Sequence, residues 1–404
     1  MARAGRVGER EAQVAEQAAC APLRDQPLCL GIRLGARHSE QEPLCDELVL
    51  HRQQPNTMRA VRAVRIHEEG GPEVVLVDRD VPVPEPGPGE ALVRMRAGAL
   101  NRIDVWIRLG KPSRPKPHTL GADGAGVVEA LGPGTEGPAP ATAVVINPGI
   151  FCGACEACLR GQQSLCERFA VLGEHLPGTH ADYCVVPVRN LHPKPEPLSF
   201  AEAAAYPLVF ATAWRMLMTR ARLQPGEWIL VWGAGSGVGS AAVTLASSLG
   251  ARVIATASRD DVLATARERG AHATINHRSD DVLAAVRELT GGRGADVVYE
   301  HVGAETWATS IEALRRGGRL VITGATTGGN PPARLHRIFW KQLDVLGSTM
   351  ASDSEFRAVT RLFAQGRIRP LVDSVRPLED VRDAQRRLEA GQQNGKLVLE
   401  IADA

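Results

Sequence analysis

The sequence predicts an α/β protein that combines a β-rich domain with a doubly wound domain built on a parallel sheet. Short apolar runs separated by glycine and proline fill residues 58–208, which is typical of strands and turns. Strands and helices then alternate strictly over residues 209–349, which favours a parallel sheet with helices on both faces. Two further helix–strand pairs occupy residues 350–404, and we expect them to return to the first domain.

The first 57 residues differ from the rest of the chain. They contain no Phe, Trp or Tyr and no sustained apolar periodicity, so we expect residues 1–57 to be a disordered extension. This segment holds Cys20, Cys29 and Cys45, whose spacing matches no zinc module. We interpret these three cysteines as unpaired thiols.

The composition argues against several classes of partner. The 404 residues include 47 basic and 46 acidic side chains that are intermixed along the chain, so we expect no nucleic-acid surface and no polybasic membrane patch. No window approaches the ~18 apolar residues of a membrane span, and the N terminus lacks the apolar core of a signal peptide. We therefore expect a cytoplasmic protein, in which clustered cysteines indicate a metal before a disulfide.

Four cysteines lie close together in "FCGACEACLRGQQSLCERF", residues 151–169. They are Cys152, Cys155, Cys158 and Cys166, at the spacing C-x2-C-x2-C-x7-C. Four thiolates close a tetrahedral shell around Zn²⁺ and leave no position for water or substrate. An iron–sulfur cluster is the alternative, but a ferredoxin-type run continues x3-C-P and this one does not. The pattern favours zinc.

A glycine-rich turn joins a buried strand to a helix in "WILVWGAGSGVGSAAVTLASSLG". Such a turn lets the backbone approach a pyrophosphate at the helix N terminus, where the amides and the dipole favour an anion. The spacing is G-x-G-x-G-x-G, but its place between a strand and a helix favours a nucleotide site over a merely structural turn. The expected contacts are Gly233, Gly235, Ser236, Gly237, Val238 and Gly239.

The end of the next strand indicates which nucleotide is bound. An NAD site has an acid there that accepts from the ribose 2′-hydroxyl, but this chain has Ala257, Ser258 and Arg259. Ser258 and Arg259 would bind a 2′-phosphate, unless Arg259 is only a solvated surface side chain, so NADP(H) is favoured over NAD(H). Asp260 and Asp261 fit the first turn of the following helix, where negatively charged side chains interact favourably with the helix dipole.

Together these motifs resemble the medium-chain dehydrogenase/reductase family, which includes zinc alcohol dehydrogenases and zinc-free quinone reductases. The resemblance runs from Met58 to the end and includes "LQPGEWILVWGAGSGVG", "DVVYEHVG" and "NGKLVLEI". It implies a GroES-like catalytic domain over residues 58–208, a Rossmann domain over 209–349 and a return to the catalytic domain over 350–404. It also implies a structural zinc in the lobe at 151–169 and a homodimer or dimer of dimers.

The ligands of the family's catalytic zinc are missing from the positions that match them. Asn101 stands in the place of a cysteine, Ala122 in that of a histidine and Leu208 in that of the third ligand. An amide is a poor zinc ligand, and the other two side chains offer no donor atom. The resemblance therefore implies that this catalytic zinc is absent. A substitute metal site is the alternative, with the candidate ligands Asp104, Asp123, Glu174 and His175.

Without a Lewis acid, hydride transfer is easier to a quinone or an α,β-unsaturated carbonyl, because hydrogen bonds can stabilise a delocalised charge. The run "LNRID" is similar to the N-x-x-D element of the zinc-free quinone reductases. We therefore expect Asn101 to donate to the substrate oxygen and Asp104 to orient its neighbours or relay a proton. His301 follows a predicted strand at its carboxyl end and is the candidate proton donor.

The remaining expectations concern the cofactor and the pocket walls. Thr212 resembles the family threonine that contacts the nicotinamide, and we expect Gly324 and Lys396 to contact the cofactor as well. Phe339 and Trp340 either wall the pocket or belong to the core or a dimer surface. The sequence thus predicts an NADPH-dependent reductase of quinones or enones with one structural zinc. An alcohol dehydrogenase with a non-standard metal site and a non-catalytic NADPH-binding protein are the alternatives.

Overall fold

The structure is a computed structural model that describes residues 60–402. The predicted N-terminal extension, with Cys20, Cys29 and Cys45, lies outside the described residues. No helix in the part of the chain described is long and apolar enough to cross a membrane.

The strands follow one another as β1 (Ala60–Ile66), β2 (Val75–Pro82), β3 (Glu90–Ala99), β4 (His118–Thr119), β5 (Asp123–Leu131), β6 (Ala143–Ile146), β7 (Gly149–Ile150), β8 (Ala170–Val171), β9 (Tyr183–Pro187), β10 (Leu191–Pro193), β11 (Trp228–Val231), β12 (Arg252–Ala257), β13 (Ala273–Asn276), β14 (Ala295–Glu300), β15 (Leu314–Ile322), β16 (Asp344–Gly347), β17 (Val372–Pro377) and β18 (Lys396–Glu400). The α-helices are α1 (Arg102–Arg108), α2 (Glu156–Leu159), α3 (Phe200–Ala204), α4 (Pro207–Trp214), α5 (Gly237–Ser248), α6 (Asp260–Glu268), α7 (Val282–Leu289), α8 (Ala304–Ala313), α9 (Leu335–Lys341), α10 (Asp353–Ala364) and α11 (Val381–Glu389). A π-helical turn, Arg215–Arg220, directly follows α4.

The alternating part of the chain forms a parallel six-stranded sheet in the order β13-β12-β11-β14-β15-β16. Counted from β11, this is the order 3-2-1-4-5-6 of a doubly wound Rossmann sheet. The central strand is apolar and buried through Ile229, Leu230 and Val231, as expected for a strand covered on both faces. The predicted α/β class, with its doubly wound parallel sheet, is confirmed.

The β-rich part contains a sheet in the order β10-β6-β5-β3-β18-β17, with β9 also paired to β3. A smaller sheet has the order β2-β1-β4. The last strand, β18, pairs antiparallel with β3, with Val398 opposite Ala99. This pairing brings Lys396, at the start of β18, close to Asn101, which follows the end of β3.

Helix α4 lies in an apolar core that also includes parts of α3, α5 and α10. The Phe363 ring packs 4.3 Å from the Tyr206 ring and 4.9 Å from the Phe210 ring. Aromatic contacts of this kind bury large areas and fix the orientation of the helices that carry them. The core therefore holds α4 firmly beside the N terminus of α5.

The helices differ in two places from those that the sequence predicts. Before residue 208 the sequence predicts one helix, near "NRIDVWIRLG", but α2 and α3 also form there. Helix α3 is five residues long, too short for a periodic pattern, and begins where the Ser199 hydroxyl accepts from the Glu202 backbone N–H. The sequence also predicts a helix over "ETWATSIEALRRGG", but α8 ends at Ala313 because β15 already begins at Leu314.

Candidate active site

The glycine turn between β11 and α5 has the geometry of a phosphate site. Gly233 has φ 58, and a Cβ on Gly239 would lie 2.2 Å from the Gly233 carbonyl oxygen. Only glycine fits such a close backbone approach without displacing it. The Ser236 hydroxyl accepts from the Gly239 N–H at 2.9 Å, which caps the first turn of α5. The free amides at the start of this helix fit the pyrophosphate of a dinucleotide.

A cavity of about 520 Å³ extends from this turn to α1 and α4. Most of the predicted site residues line it, namely Asn101, Thr212, Gly233, Gly235, Ser236, Gly237, Val238, Ser258, Arg259, His301, Gly324 and Lys396. Asp104 and Gly239 do not. Asp104 is buried behind the wall, and Gly239 lies inside α5, where it sets the approach of the helix to the turn.

Three buried side chains from distant parts of the chain form a hydrogen-bonded triad at one end of the cavity. The Lys396 ammonium donates to Asn101 Oδ1 at 2.6 Å and to Asp123 Oδ2 at 2.8 Å. The Asn101 amide donates to the same Asp123 oxygen at 2.8 Å. Asp123 Oδ1 accepts from the Leu208 N–H at 2.7 Å, so both oxygens of this carboxylate accept hydrogen bonds. A buried charge requires such partners.

Of the three residues that match the family's zinc ligands, Asn101 belongs to this triad, and the other two pack in an apolar cluster beside it. Ala122 belongs to this cluster with Val171 and Met350, and Leu208 and Phe169 pack against them. Zinc needs nitrogen, sulfur or carboxylate donors, which this cluster does not offer. The position therefore does not fit the family's catalytic metal.

The four candidate ligands of a substitute metal site are engaged elsewhere. Asp123 is paired with Lys396, and the Glu174 carboxylate pairs with Arg114 at 3.1 Å. His175 Nδ1 accepts from the Val171 N–H at 3.1 Å. Within residues 60–402, the four lobe cysteines alone form a cluster of metal-ligating side chains.

Asp104 fixes the backbone next to Asn101. One of its oxygens accepts from the Asn101 N–H at 2.7 Å and the other from the Gly121 N–H at 3.0 Å. Burial raises the pKa of Asp104. Asp104 does not reach the cavity. Its hydrogen bonds instead position the start of α1.

The four cysteines converge as their spacing predicts. Their sulfur atoms all lie within 4.8 Å of one another. The backbone N–H groups of Ala154 and Cys155 donate to Cys152 Sγ at 3.4 and 3.3 Å, and these hydrogen bonds lower the pKa of Cys152 to about 5. Such donors stabilise the thiolate, which is the form that binds a metal. The donor set fits a closed structural zinc site.

His301 lies beside the glycine turn. Its Nε2 is 2.8 Å from the Trp232 carbonyl oxygen and 3.4 Å from Ser236 Oγ. Because a carbonyl only accepts, Nε2 carries the proton in this contact. Burial lowers the pKa of His301, which favours the neutral ring. The His301 imidazole therefore lies at the end of the cavity next to the glycine turn.

Arg259 lies at the far end of the cavity. Its guanidinium donates to both Asp261 oxygens, at 3.0 and 2.9 Å, and to the Gln392 carbonyl at 2.7 Å. His277, which the sequence analysis missed, lines the same end just after β13. Its place after the carboxyl end of a parallel strand is the signal that would have found it. Ser258, Arg259 and His277 together surround the end of the cavity next to β12.

Several residues at the opposite end were also missed. Ile103 and Trp106 line the cavity from α1, and their i, i+3 spacing places them on one face of that helix. Glu174 is the single acidic side chain among the lining residues in the described part of the chain. Phe339 and Trp340 do not line the cavity, and their exposed fractions are 63% and 55%.

Comparison with known proteins identifies the family. An alcohol dehydrogenase GroES-like domain model matches residues 87–196, and a zinc-binding dehydrogenase model matches residues 237–365. An alcohol dehydrogenase of Geobacillus stearothermophilus is 32% identical over 80% of this chain and 95% of its own length. A quinone oxidoreductase of Pongo abelii is 29% identical over 84% of this chain and 98% of its own.

Solved structures agree with these matches. A structure of an NAD-dependent alcohol dehydrogenase is 50% identical, with a TM-score of 0.82 over 84% of this chain and all (100%) of its own. A crotonyl-CoA carboxylase/reductase in complex with NADP is 28% identical, with a TM-score of 0.80 over 85% of this chain and 95% of its own. The predicted resemblance is confirmed, and the chain belongs to the medium-chain dehydrogenase/reductase family of oxidoreductases.

Proposed function

We propose that the protein reduces a quinone or an α,β-unsaturated carbonyl with NADPH and uses no catalytic zinc. The Lys396 ammonium carries this proposal, because it lies between Asn101 and Asp123 beside the positions that match the zinc ligands. A fixed cation there repels a second cation. The matched residues Ala122 and Leu208 offer no donor atom to offset that repulsion.

The triad can stabilise the charge that develops on a conjugated acceptor. The reduced nicotinamide supplies a hydride when NADPH is bound. An ammonium has three donors, of which Asn101 and Asp123 take two, so the third is available to an oxygen in the cavity. Charge-assisted hydrogen bonds of this kind are strong and need no reorganisation. Asn101, whose amide donates to Asp123, fixes the ammonium and lines the cavity beside it.

Asp104 and His301 have supporting roles in this proposal. Asp104 positions Asn101 through its backbone, and His301 contacts the glycine turn. In this proposal the proton that completes the reduction comes from water, and not from Asp104, whose carboxyl group does not line the cavity. Thr212 and Gly324 line the cavity and contact the nicotinamide half of the cofactor.

The cofactor is NADPH rather than NADH in this proposal. Ser258, Arg259 and His277 surround the end of the cavity next to β12, and no carboxylate of the described residues lines that end to repel a 2′-phosphate. Arg259 is held by Asp261 and would share its guanidinium with the phosphate. The four lobe cysteines hold one structural zinc per chain.

The protein forms a homodimer, or a dimer of dimers, through the free edge of β16. Within residues 60–402 this strand pairs with β15 alone, and apolar side chains are exposed on and beside it. The exposed residues are Leu335, Phe339, Trp340 and Val345. An exposed apolar strand edge promotes pairing with another chain. Light scattering of the purified protein tests this, and a monomer would contradict it.

An alcohol dehydrogenase is the second candidate function. The names of the 32% identical relative and of the 50% identical structure favour it. It would require a metal bound by ligands other than those of the family pattern. Its substrates would be simple alcohols and aldehydes, which a Lewis acid activates.

One assay separates these candidates. NADPH oxidation is measured with a panel of quinones, enones and saturated aldehydes, and NADP⁺ and NAD⁺ reduction with a panel of alcohols. We expect turnover with the conjugated acceptors and little with the saturated ones. Preferential turnover of simple alcohols or aldehydes would favour the second candidate. Tight NADPH binding with no turnover of any acceptor would indicate a non-catalytic binding protein.

A further inference from the structure

The loop between Cys158 and Cys166 contacts two elements that lie directly behind the wall of the cavity. Gln162 Oε1 accepts from Arg215 Nη2 at 3.3 Å, and Gln163 Oε1 accepts from the Asp353 backbone N–H at 3.4 Å. The zinc lobe, residues 151–169, is therefore hydrogen-bonded both to the π-helical turn after α4 and to the first turn of α10.

Arg215 is the centre of a buried ionic network. It is 3% exposed, and its Nη1 donates to the two Glu355 oxygens at 3.2 and 3.0 Å. Glu355 also accepts from the Ser352 N–H at 2.6 Å and from the Thr219 hydroxyl. Since a buried charge without its partner is costly, these groups hold one another in place. The network ties the end of α4 to the N terminus of α10.

Residues that shortly precede the π-helical turn and α10 in the chain form one wall of the cavity. Thr212 precedes Arg215 by one helical turn, and Met350 precedes Ser352 by two residues. Both Thr212 and Met350 line the cavity, with the Thr212 hydroxyl 3.9 Å from the Met350 sulfur. Met350 has φ 47, a left-handed conformation that an L residue keeps only where its surroundings fix it. The position of this wall depends on the network behind it.

We infer that the zinc lobe positions the wall formed by Thr212 and Met350, with Gln162 and Gln163 as the link. This inference rests on the proposed binding of a dinucleotide in the cavity. Zinc binding orders the lobe, the lobe holds Arg215 and the start of α10, and these hold the wall against which the nicotinamide binds. Zinc and the dinucleotide therefore stabilise each other's binding, and the coupling is reciprocal.

The first test separates the link from the rest of the lobe. Dinucleotide affinity is measured by calorimetry with NADPH and NADH for the wild type and for the double variant Gln162→Ala/Gln163→Ala. We expect the double variant to keep its zinc and its fold and to bind the preferred dinucleotide about fivefold more weakly. Gln162→Glu keeps an acceptor for Arg215 and should retain most of the affinity. A matched control is Glu156→Gln, which breaks an exposed pair with Arg160 in the same lobe and should change nothing.

The second test uses zinc itself as the readout. Zinc affinity is measured by competition with a chromogenic chelator, with and without saturating NADPH. We expect NADPH to tighten zinc binding about fivefold in the wild type and much less in the double variant. The inference would be overturned if the double variant bound the dinucleotide as tightly as the wild type does. It would also be overturned if NADPH left the zinc affinity of the wild type unchanged. A wild type that binds neither dinucleotide would instead refute the proposed function on which it rests.

Discussion

The zinc lobe and the Lys396 triad can each surround a positive charge, with different sets of side chains. In the lobe, four sulfur atoms lie within 4.8 Å of one another near the protein surface, and backbone amides stabilise their thiolate form. In the triad, an amide and a carboxylate surround a lysine ammonium in the protein interior. The first donor set consists of four sulfur atoms, whereas the second already contains a side-chain cation.

We propose that this difference separates a structural site from a catalytic one. A closed thiolate shell offers a substrate no free position, so the lobe would hold the fold around it. Among residues 60–402, the Lys396 ammonium lines the cavity and donates to two side chains, which leaves one of its three donors for a ligand. In the proposed function, a fixed side-chain charge stands beside the place of the catalytic metal, and a second metal site is retained for structure. Four substitutions test this division.

The largest effect should come from Cys158→Ser. Loss of one thiolate opens the zinc shell, so zinc should be lost from the lobe, and the free energy of unfolding should fall by about 4 kcal/mol or more. Metal analysis and denaturant unfolding measure the two effects. Cys184→Ser is the control, since Cys184 is a buried thiol outside the lobe and its replacement should leave the zinc content unchanged. A Cys158→Ser protein that is as stable as the wild type would contradict a structural role for the lobe.

Lys396→Met should come next. It leaves the Asp123 carboxylate buried without its cation, which costs about 3–5 kcal/mol of folding free energy. The double variant Lys396→Met/Asp123→Asn removes both charges and should recover most of that loss, as chemical denaturation would measure. If Lys396→Met alone unfolds like the wild type, the buried ion pair does not exist in solution.

Asn101→Ala tests whether the triad serves catalysis as well as folding. It removes one of the two hydrogen bonds that hold the ammonium, together with the amide's bond to Asp123. It should therefore lower kcat/KM for a conjugated acceptor by about 10²-fold, the effect of losing one oriented donor. Steady-state kinetics measures this, and an unchanged zinc content shows that the lobe is intact. Turnover at the wild-type rate would remove Asn101 from the proposed active site.

Arg259→Ala should have the smallest effect and one confined to the far end of the cavity. Loss of a charge-assisted hydrogen bond to the 2′-phosphate should weaken NADPH binding about tenfold and leave NADH binding unchanged. Fluorescence titration with both dinucleotides measures the two affinities. Unchanged affinity for NADPH would show that Arg259 is only a surface side chain held by Asp261.

Local sequence patterns predicted the features that local physics determines. The strand–helix alternation predicted the parallel sheet, and the cysteine spacing predicted four sulfur atoms that converge. The triad was not predictable as a unit, because Lys396 is 295 residues from Asn101 and 273 from Asp123 in the sequence. Their contact depends on the pairing of β18 with β3, which no motif near Lys396 specifies.

The function of each site residue was also harder to predict than its presence in the site. His301 lines the cavity and contacts the Trp232 carbonyl and the glycine turn, and its role as a proton donor stays a prediction. Met350 and Trp106 carry no motif, so only the folded chain identifies them as walls of the cavity. Tertiary packing decides which side chains line the cavity, and this packing cannot be read directly from the local sequence.

The central claim, that metal binds in the lobe and not beside Lys396, is tested most directly by metal content per chain. Mass spectrometric metal analysis is made on the wild type and on Cys158→Ser in the same preparation conditions. We expect one zinc per wild-type chain and none in the variant, with NADPH-dependent reduction of conjugated acceptors in the one-zinc wild type. Two zinc ions per wild-type chain, or one that remains in Cys158→Ser, would show that metal binds outside the lobe.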